Sequence, residues 1–203
     1  MGPKNFIVAI ILAIALATGI FVAARMQAPA ALKAAFVLPA PMPLPEFALV
    51  DQDGDAVTAT SFREDWHLVF FGFTHCPDIC PTTLQILAAA RSELAAAGEE
   101  PLPRIVLVSV DPERDTPTLI GKYVDYFGDD NLGITGDLDE LRKLTSGLGI
   151  YFEKQPGDGS DYSVDHSAAV LLIDPNGEFH ALFGGPHSIE NYVHDIPLIM
   201  ANQ

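Results

Sequence analysis

Two continuous apolar runs, each followed by the start of a helical pattern, constrain the fold of this chain more than any other feature. The runs are Leu68–Phe73 (LVFFGF) and Arg104–Val110 (RIVLVSV). Unbroken runs of this length are typical of strands buried on both faces of a parallel or mixed sheet. Pro81 and the pair Thr116-Pro117 then suit the first turns of helices. The alternation predicts an α/β domain with a mixed sheet.

Shorter patterns complete the domain, and the aromatic residues of the first run are predicted to lie in the core with Trp66. The order of elements is that of a thioredoxin-like fold. The remaining predicted elements are a hairpin turn at Asp53-Gly54, a helix over Asp137–Thr145, a strand over Leu148–Phe152, a hairpin over Ala168–Gly185 and a closing helix from Ser188 to Met200 that is interrupted at Pro197.

The segment Phe6–Ala24 contains 19 consecutive uncharged residues, flanked by Lys4 and Arg25. A helix of this length spans about 28 Å, close to the roughly 30 Å hydrocarbon core of a bilayer. A cleavable signal peptide is the alternative, because Val22-Ala23-Ala24 resembles a cleavage site. On length, we expect an uncleaved N-terminal transmembrane helix within a membrane anchor of residues 1–27.

Residues 28–45 contain five prolines and no acidic residue, which predicts a stiff linker without a helix or a central strand. The thioredoxin-like domain is therefore expected over residues 46–203. This region holds 27 acidic and 8 basic residues, and the whole chain has a net charge of −16. A field of that sign repels phosphate backbones, so the composition argues against nucleic-acid binding.

Cys76 and Cys80 are the only cysteines, and they lie in FTHCPDICPTTL, between the first buried strand and its helix. The carboxyl ends of strands form the usual ligand crevice of an α/β sheet. If Cys80 opens the helix, the i, i+4 spacing brings both sulfurs to one face, and the helix N-terminus favours thiolates. A structural disulfide is the alternative, but closing so short a loop adds little stability.

His166, in DYSVDHSAAVLLI, precedes an apolar strand, so a thioredoxin-like sheet would present it at the same crevice. Two thiolates and an imidazole form a soft set of few ligands. Such a set favours Cu(I), whereas structural zinc normally takes four protein ligands. His75 and His187 are further candidates, with exposure as the stronger interpretation for both. Asp78 and Asp111 are candidates for supporting the ligands without binding the metal.

The motifs GFTHCPDICPTTL, VSVDPERDTP, GITG and YSVDHSAAVLLIDPNG occur in this order. With them the chain resembles the Sco/SenC family of copper-binding assembly proteins over about residues 45–200. The resemblance implies a single-pass inner-membrane protein whose thioredoxin-like domain faces the bacterial periplasm or the mitochondrial intermembrane space. It also implies that Cys76, Cys80 and His166 bind copper and that the protein helps to build the CuA centre of cytochrome c oxidase.

The sequence leaves three functions open. The first is a copper metallochaperone, a binding protein rather than an enzyme, that holds Cu(I), with Cu(II) left open. Its expected partners are the CuA-bearing subunit of cytochrome c oxidase and another periplasmic copper chaperone or thiol oxidoreductase. The second is a thiol–disulfide oxidoreductase or thiol peroxidase, in which one of Cys76 and Cys80 attacks and the other resolves. The third is a passive domain with a structural disulfide.

The spacing of the cysteines argues against the second function, because thioredoxin-like redox motifs separate their cysteines by two residues and not by three. The His166 loop also stands where a thioredoxin would present a proline. We therefore expect the metallochaperone, although both activities can coexist in one protein.

Overall fold

The computed structural model describes residue 10 and residues 12–19, 31–157 and 162–202. Of the predicted anchor Phe6–Ala24, residue 10 and residues 12–19 are helical, and the rest lies outside the described residues. Within the described ranges, no helix has both the length and the apolar character needed to cross a membrane. The chain forms two units, Met1–Ala31 and Leu32–Gln203, and the second unit contains both cysteines and His166.

Ten strands, four α-helices and one 3-10 helix, at Ala59–Phe62, make up this second unit as described. The strands are β1 (Ala35–Pro43), β2 (Leu49–Asp51), β3 (Ala56–Val57), β4 (His67–Gly72), β5 (Arg104–Ser109), β6 (Leu132–Thr135), β7 (Phe152–Lys154), β8 (Val164–His166), β9 (Val170–Ile173) and β10 (Glu178–Phe183). The helices are α1 (Ile79–Ala97), α2 (Pro117–Asp125), α3 (Leu138–Gly147) and α4 (Ile189–Met200).

Eight strands form one mixed sheet in the order β1-β10-β9-β4-β5-β6-β2-β3. The neighbouring strands β4, β5 and β6 are parallel, and the other pairs are antiparallel. Every residue of β4 is buried, and so is every residue of β5 except Arg104, as the continuous apolar runs predict. Trp66 and the three phenylalanines of the first run lie in the core. These findings confirm the predicted α/β mixed-sheet architecture.

The predicted helix boundaries have the expected local causes. Gly98 ends α1 with a φ of +80°, a left-handed conformation that glycine adopts without steric cost. The Thr116 side chain caps α2 by accepting from the Leu119 amide, and Pro117 fills the first helical position. The Asp137 side chain accepts from two amides at the start of α3.

The strand β1 lies within the segment that the sequence predicts to be a linker. It pairs antiparallel with β10, and its register shifts between Val37 and Met42. Prolines are tolerated here because β1 is an edge strand, whose outer backbone groups need no sheet partner. The proline content therefore excludes a central strand but not an edge strand.

Two other predictions are wrong in detail. The strand predicted over Leu148–Phe152 begins only at Phe152, because the Leu148 amide still donates to the α3 carbonyl of Leu144 and Gly149 turns the chain with a φ of +69°. The closing helix α4 is not interrupted at Pro197 but continues to Met200. Pro197 has no amide hydrogen and so removes one helical hydrogen bond, but the helix continues for three more residues.

Asp195, in α4, anchors the start of β1. Its fully buried carboxylate accepts hydrogen bonds of 2.8 Å from the amides of Lys33, Ala34 and Ala35. Burial opposes ionisation of Asp195, but these amides and the neighbouring His194 hold the pKa of the carboxyl below its usual range. The charged form is therefore the one that stabilises this junction.

We predict that Asp195→Ala lowers the free energy of unfolding by roughly 3 kcal/mol, because three buried amides lose a charged acceptor. Urea unfolding at neutral pH measures the change. The matched control is Glu190→Gln, which removes an exposed ion pair with Lys33 at the same junction and should change stability by less than about 1 kcal/mol.

The same interaction makes the stability depend on pH. Since the folded-state pKa of Asp195 is depressed, its contribution is present above the unfolded value of about 4 and is lost as the pH falls through the folded-state pKa. Equal stability of Asp195→Ala and Glu190→Gln at neutral pH would contradict the stabilising role assigned to the Asp195 carboxylate.

Candidate metal centre

The two cysteines lie between the end of β4 and the first turn of α1. The Cys76 amide donates to the carbonyl of Phe73, the residue after β4, over 3.3 Å. Cys80 is the second residue of α1, and its amide lies 3.4 Å from the Cys76 Sγ. Amides at a helix N-terminus favour a negatively charged acceptor. The i, i+4 spacing therefore gives the arrangement that the sequence predicts, with both sulfurs on one face.

The two sulfurs differ in their surroundings. Cys76 is half-buried, whereas Cys80 is completely buried. Cys80 packs against the backbone of Gly72 in β4, where an added Cβ would lie only 2.9 Å from the Cys80 Sγ. Any side chain at residue 72 would therefore displace the sulfur. One sulfur is fixed in the core, and the other faces the surface.

His166 is the last residue of β8 and reaches the cysteine pair from a distant part of the chain. Its Nε2 lies 3.4 Å from the Cys80 Sγ, and its Nδ1 lies 3.0 Å from the Ser167 carbonyl oxygen. A carbonyl can only accept, so we assign the ring proton to Nδ1 and a free lone pair to Nε2. The rings of Phe70 and Phe73 contact the imidazole edge-on, each at 5.8 Å between centroids, and fix its orientation.

The structure thus brings together the three residues that the sequence predicts as metal ligands. The Sγ atoms of Cys76 and Cys80 and a ring nitrogen of His166 all lie within 4.8 Å of one another. Within the described part of the chain, no other group of three His, Cys, Asp or Glu side chains lies close enough to hold a metal ion.

His75 and His187 do not join this cluster. The His75 side chain is 48% exposed, as predicted, and its Nδ1 lies 3.0 Å from the Thr74 hydroxyl. His187 is half-buried instead, with its Nε2 2.6 Å from the Ala168 carbonyl oxygen and its Nδ1 2.7 Å from the Tyr192 hydroxyl. The expected exposure of His187 is wrong because Tyr192, contributed by α4, supplies a buried partner that the local sequence does not reveal.

Asp115 holds the loop that carries Cys76, although the sequence assigns it no role. Its carboxylate is completely buried and accepts from the Thr74 amide over 3.0 Å and from the Thr74 hydroxyl over 2.5 Å. The Ser109 hydroxyl, at the end of β5, donates to the same carboxylate over 2.6 Å. Thr74, two residues before Cys76, is thereby linked through Asp115 to the end of β5.

Asp111 contacts the segment that leads into β8, the strand that ends at His166. Its carboxylate accepts from the Tyr162 hydroxyl over 2.6 Å and forms an ion pair with Arg114. The Arg114 guanidinium also stacks over the Tyr162 ring at 3.7 Å and donates to the Tyr162 carbonyl over 3.0 Å. These contacts tie the chain just before β8 to the loop after β5. Asp111 therefore supports the position of His166 without lying among the three ligand atoms.

Asp78 lies at the surface beside the cysteines. It precedes α1, but its side chain makes no capping hydrogen bond with the helix. It lines an open groove together with Cys76 and His166. Of the two residues predicted to support the ligands, Asp111 is thus buried and hydrogen-bonded, and Asp78 is exposed beside the groove.

Because their surroundings differ, the pKa values of the two thiols shift in opposite directions. Hydrogen bonding from Cys80 lowers the pKa of Cys76 to about 5, against the opposing effect of partial burial. Sharing this hydrogen bond with Cys76, together with burial, raises the pKa of Cys80. At neutral pH the pair therefore carries one proton, with the charge on the more accessible sulfur.

We predict that, in the reduced and metal-free protein, iodoacetamide alkylates Cys76 at a rate that falls only below about pH 5. An ordinary thiol loses its reactivity below about pH 8.5. The rate is measured across this range, and mass spectrometry identifies the modified residue. In Cys80→Ala the donor is lost, so the profile should move to higher pH. An identical profile in both proteins would show that Cys80 does not set the acidity of Cys76.

Comparison with known proteins places this site in a family. A family model described as SCO1/SenC matches residues 40–201, which include all three residues of the cluster. Protein SCO2 homolog, mitochondrial, of Mus musculus is 38% identical over 152 residues, covering 74% of this chain and 60% of the mouse protein. The chain thus spans less than two thirds of the length of this relative.

Solved structures show the same fold. The crystal structure of Arabidopsis thaliana ScoI with copper bound has a TM-score of 0.74 and 33% identity, over 79% of this chain and 99% of that one. Bradyrhizobium japonicum ScoI with copper bound has a TM-score of 0.64 and 35% identity, over 75% of this chain and 96% of that one. Both likenesses support the thioredoxin-like assignment of the mixed sheet.

Proposed function

The chain belongs to the SCO1/SenC family, and from this membership we propose that it is a copper metallochaperone that assists assembly of the CuA centre of cytochrome c oxidase. We propose Cys76, Cys80 and His166 as the copper ligands. The observation that carries the proposal is the convergence of two sulfur atoms and one imidazole nitrogen within 4.8 Å. The copper bound in two solved relatives supports the choice of metal.

The chemistry of the donor set fits copper as a cargo. Thiolates are soft ligands that select Cu(I), and an imidazole is compatible with both Cu(I) and Cu(II). A structural zinc site normally closes with four protein ligands, and the described residues bring together three. The His166 Nε2 lies 3.4 Å from the Cys80 Sγ, and both atoms lie within 4.8 Å of the Cys76 Sγ. All three donor atoms can therefore reach one ion.

The unequal burial of the ligands suits transfer as well as binding. Cys80 is held in the core, whereas Cys76 is half-buried and lines an open groove. A partner thiolate can therefore approach the bound ion from the Cys76 side without unfolding of the domain. A site with three protein ligands also leaves room for an incoming fourth, which is what ligand exchange requires.

We predict that the reduced domain binds one Cu(I) ion and that Cys76→Ser and Cys80→Ser each nearly abolish binding. His166→Ala should lower the affinity at least about 100-fold, since loss of partners outside the ligand shell already costs about 10- to 100-fold. Competition with a chromogenic Cu(I) chelator measures the affinities. Oxidation of the cysteine pair should abolish binding, because a disulfide sulfur is a poor ligand.

Two variants serve as controls for this measurement. His75→Ala removes an exposed imidazole whose Nδ1 lies 3.0 Å from the Thr74 hydroxyl and 3.7 Å from the Asp115 carboxylate, and it should weaken binding far less than His166→Ala. Asp78→Ala should have a smaller effect than His166→Ala. If His75→Ala weakened binding as much as His166→Ala, the proposed ligand set would be wrong.

A specific observation keeps the thiol–disulfide oxidoreductase as the second candidate. Cys76 is accessible and has a lowered pKa, and Cys80 lies close enough to resolve a mixed disulfide. The Cys76 thiolate would attack a target disulfide and release one thiolate. The Cys80 thiol would then lose its proton and attack the Cys76 sulfur, releasing the second thiolate and leaving a Cys76–Cys80 disulfide. His166→Ala separates the functions, because copper affinity would fall while reduction of a disulfide substrate persisted.

We also propose that residues 1–27 anchor the protein as a single-pass inner-membrane protein and that the domain faces the periplasm, or the intermembrane space in a mitochondrion. The support is the run of 19 uncharged residues at Phe6–Ala24. Recovery of the native protein in the membrane fraction tests the anchor. Recovery as a soluble form that begins near Arg25 would show a cleaved signal instead.

A further inference from the structure

A groove open to solvent runs beside the cysteine pair, with a volume of about 350 Å³. One wall consists of the loop and helix start that carry the cysteines, and the other wall is β8 with the residue before it. Cys76 and Asp78 lie on the first wall, and the second runs from Ser163 to His166.

The second wall is the edge of a strand and not its face. The four residues from Ser163 to His166 are consecutive, whereas only alternate residues of a strand line a face. In the described residues β8 pairs with β7 alone, so its opposite edge has no sheet partner. The strand therefore presents a row of backbone hydrogen-bonding groups to the groove.

The register identifies those backbone groups. Glu153 is opposite Asp165, and the amides of Gln155 and Ser167 donate to the carbonyls of Ser163 and Tyr151. Hydrogen-bonded and non-hydrogen-bonded pairs alternate in an antiparallel ladder, so odd-numbered residues of β8 direct their backbone groups at β7. The amides and carbonyls of Val164 and His166 then point the other way, toward the groove.

The other properties of the groove favour a particular kind of occupant. Phe73, Pro77 and Ile79 supply apolar surface, and the Ile79 side chain is 43% exposed. Asp78 and Asp165 line the two walls, and no Lys or Arg of the described residues lines the groove. The Asp165 carboxylate also accepts a hydrogen bond of 2.8 Å from the side-chain amide of Gln155, which leaves its negative charge in place. An apolar segment with basic flanks is complementary to this surface in both polarity and charge.

We propose that the groove receives an extended segment of a partner protein, which adds a strand to the free edge of β8 and carries a cysteine between apolar residues with basic flanks. This inference rests on the proposed function, because the cysteine is the group that would take over the metal. A partner residue paired with His166 projects from the same face as His166, toward the two sulfurs. Strand addition therefore delivers the incoming thiol to the site in a fixed register.

The test uses the reduced, metal-free protein and a defined probe. The probe is a seven-residue synthetic peptide with a central cysteine, a valine on each side of it and a lysine at each end. A second peptide carries glutamates in place of the lysines. NMR titration measures the affinity and reports on individual amides. We expect the lysine peptide to bind more tightly than the glutamate peptide and to shift and protect the amides of Val164 and His166.

Charge reversal on each wall tests the location of binding. Asp165→Lys and Asp78→Lys should each weaken binding of the lysine peptide by about fivefold, the effect of one favourable surface charge pair. The matched control is Glu93→Lys, which reverses an exposed charge of α1 outside the groove. It should change the affinity by less than about twofold.

Three results would overturn the inference. They are an absence of binding at millimolar peptide, unperturbed amides at Val164 and His166, and equal weakening by all three charge reversals. Because no metal is present, each of these results leaves the copper-binding proposal standing. Loss of Cu(I) binding with intact peptide binding would, in turn, reject the copper site and keep the groove.

Discussion

The buried residue Asp115 connects the ends of three neighbouring parallel strands, two through its carboxylate and one through its backbone carbonyl, and the site depends on these interactions. Its side chain holds Thr74, just after β4, and Ser109, at the end of β5. Its backbone carbonyl accepts from the hydroxyl of Thr135, at the end of β6, over 2.8 Å. A fully buried carboxylate is unfavourable unless it is well hydrogen-bonded, so these partners also determine that the loop before Cys76 has one conformation.

On this framework the two sulfurs acquire different roles. Gly72 leaves space for the sulfur of Cys80 in the core, and the hydrogen bond with Cys76, together with burial, raises the pKa of Cys80 and keeps that sulfur protonated. Cys76 sits further out, and the hydrogen bond from Cys80 maintains its negative charge. The same asymmetry serves metal transfer and thiol exchange, because both begin at an accessible thiolate next to a second sulfur. His166 is the residue that distinguishes the two functions, since only the metal site requires an imidazole.

Local patterns in the sequence were sufficient for the central strands, the helix caps and the position of the cysteine pair, whereas the placement of His166 beside the cysteines depended on the expected thioredoxin-like fold. Continuous apolar runs marked β4 and β5, and the position of Cys80 at a helix start followed from Pro81. Contacts between distant segments were not predictable in this way. The pairing of β1 with β10 and the partner of His187 depend on tertiary packing, and no local pattern encodes them.

The burial of two charged residues shows most clearly that contacts between distant segments could not be predicted from local sequence. Asp111 and Asp115 stand four residues apart in a motif rich in charge and turn residues, which is typical of an exposed loop. Both are buried, because Tyr162 and Arg114 enclose the first, and Thr74 and Ser109 enclose the second. Arg114 belongs to the same loop, but Tyr162, Thr74 and Ser109 lie outside it, and only the assembled sheet brings them together.

The most direct measurement of the central claim is the X-ray absorption spectrum of the domain loaded with one equivalent of Cu(I). The arrangement of Cys76, Cys80 and His166 predicts two sulfur ligands and one nitrogen ligand, with the nitrogen lost and the absorption edge altered in His166→Ala. An unchanged spectrum in His166→Ala would contradict the account, because the histidine would then be structural and the metal bound by the two sulfurs alone.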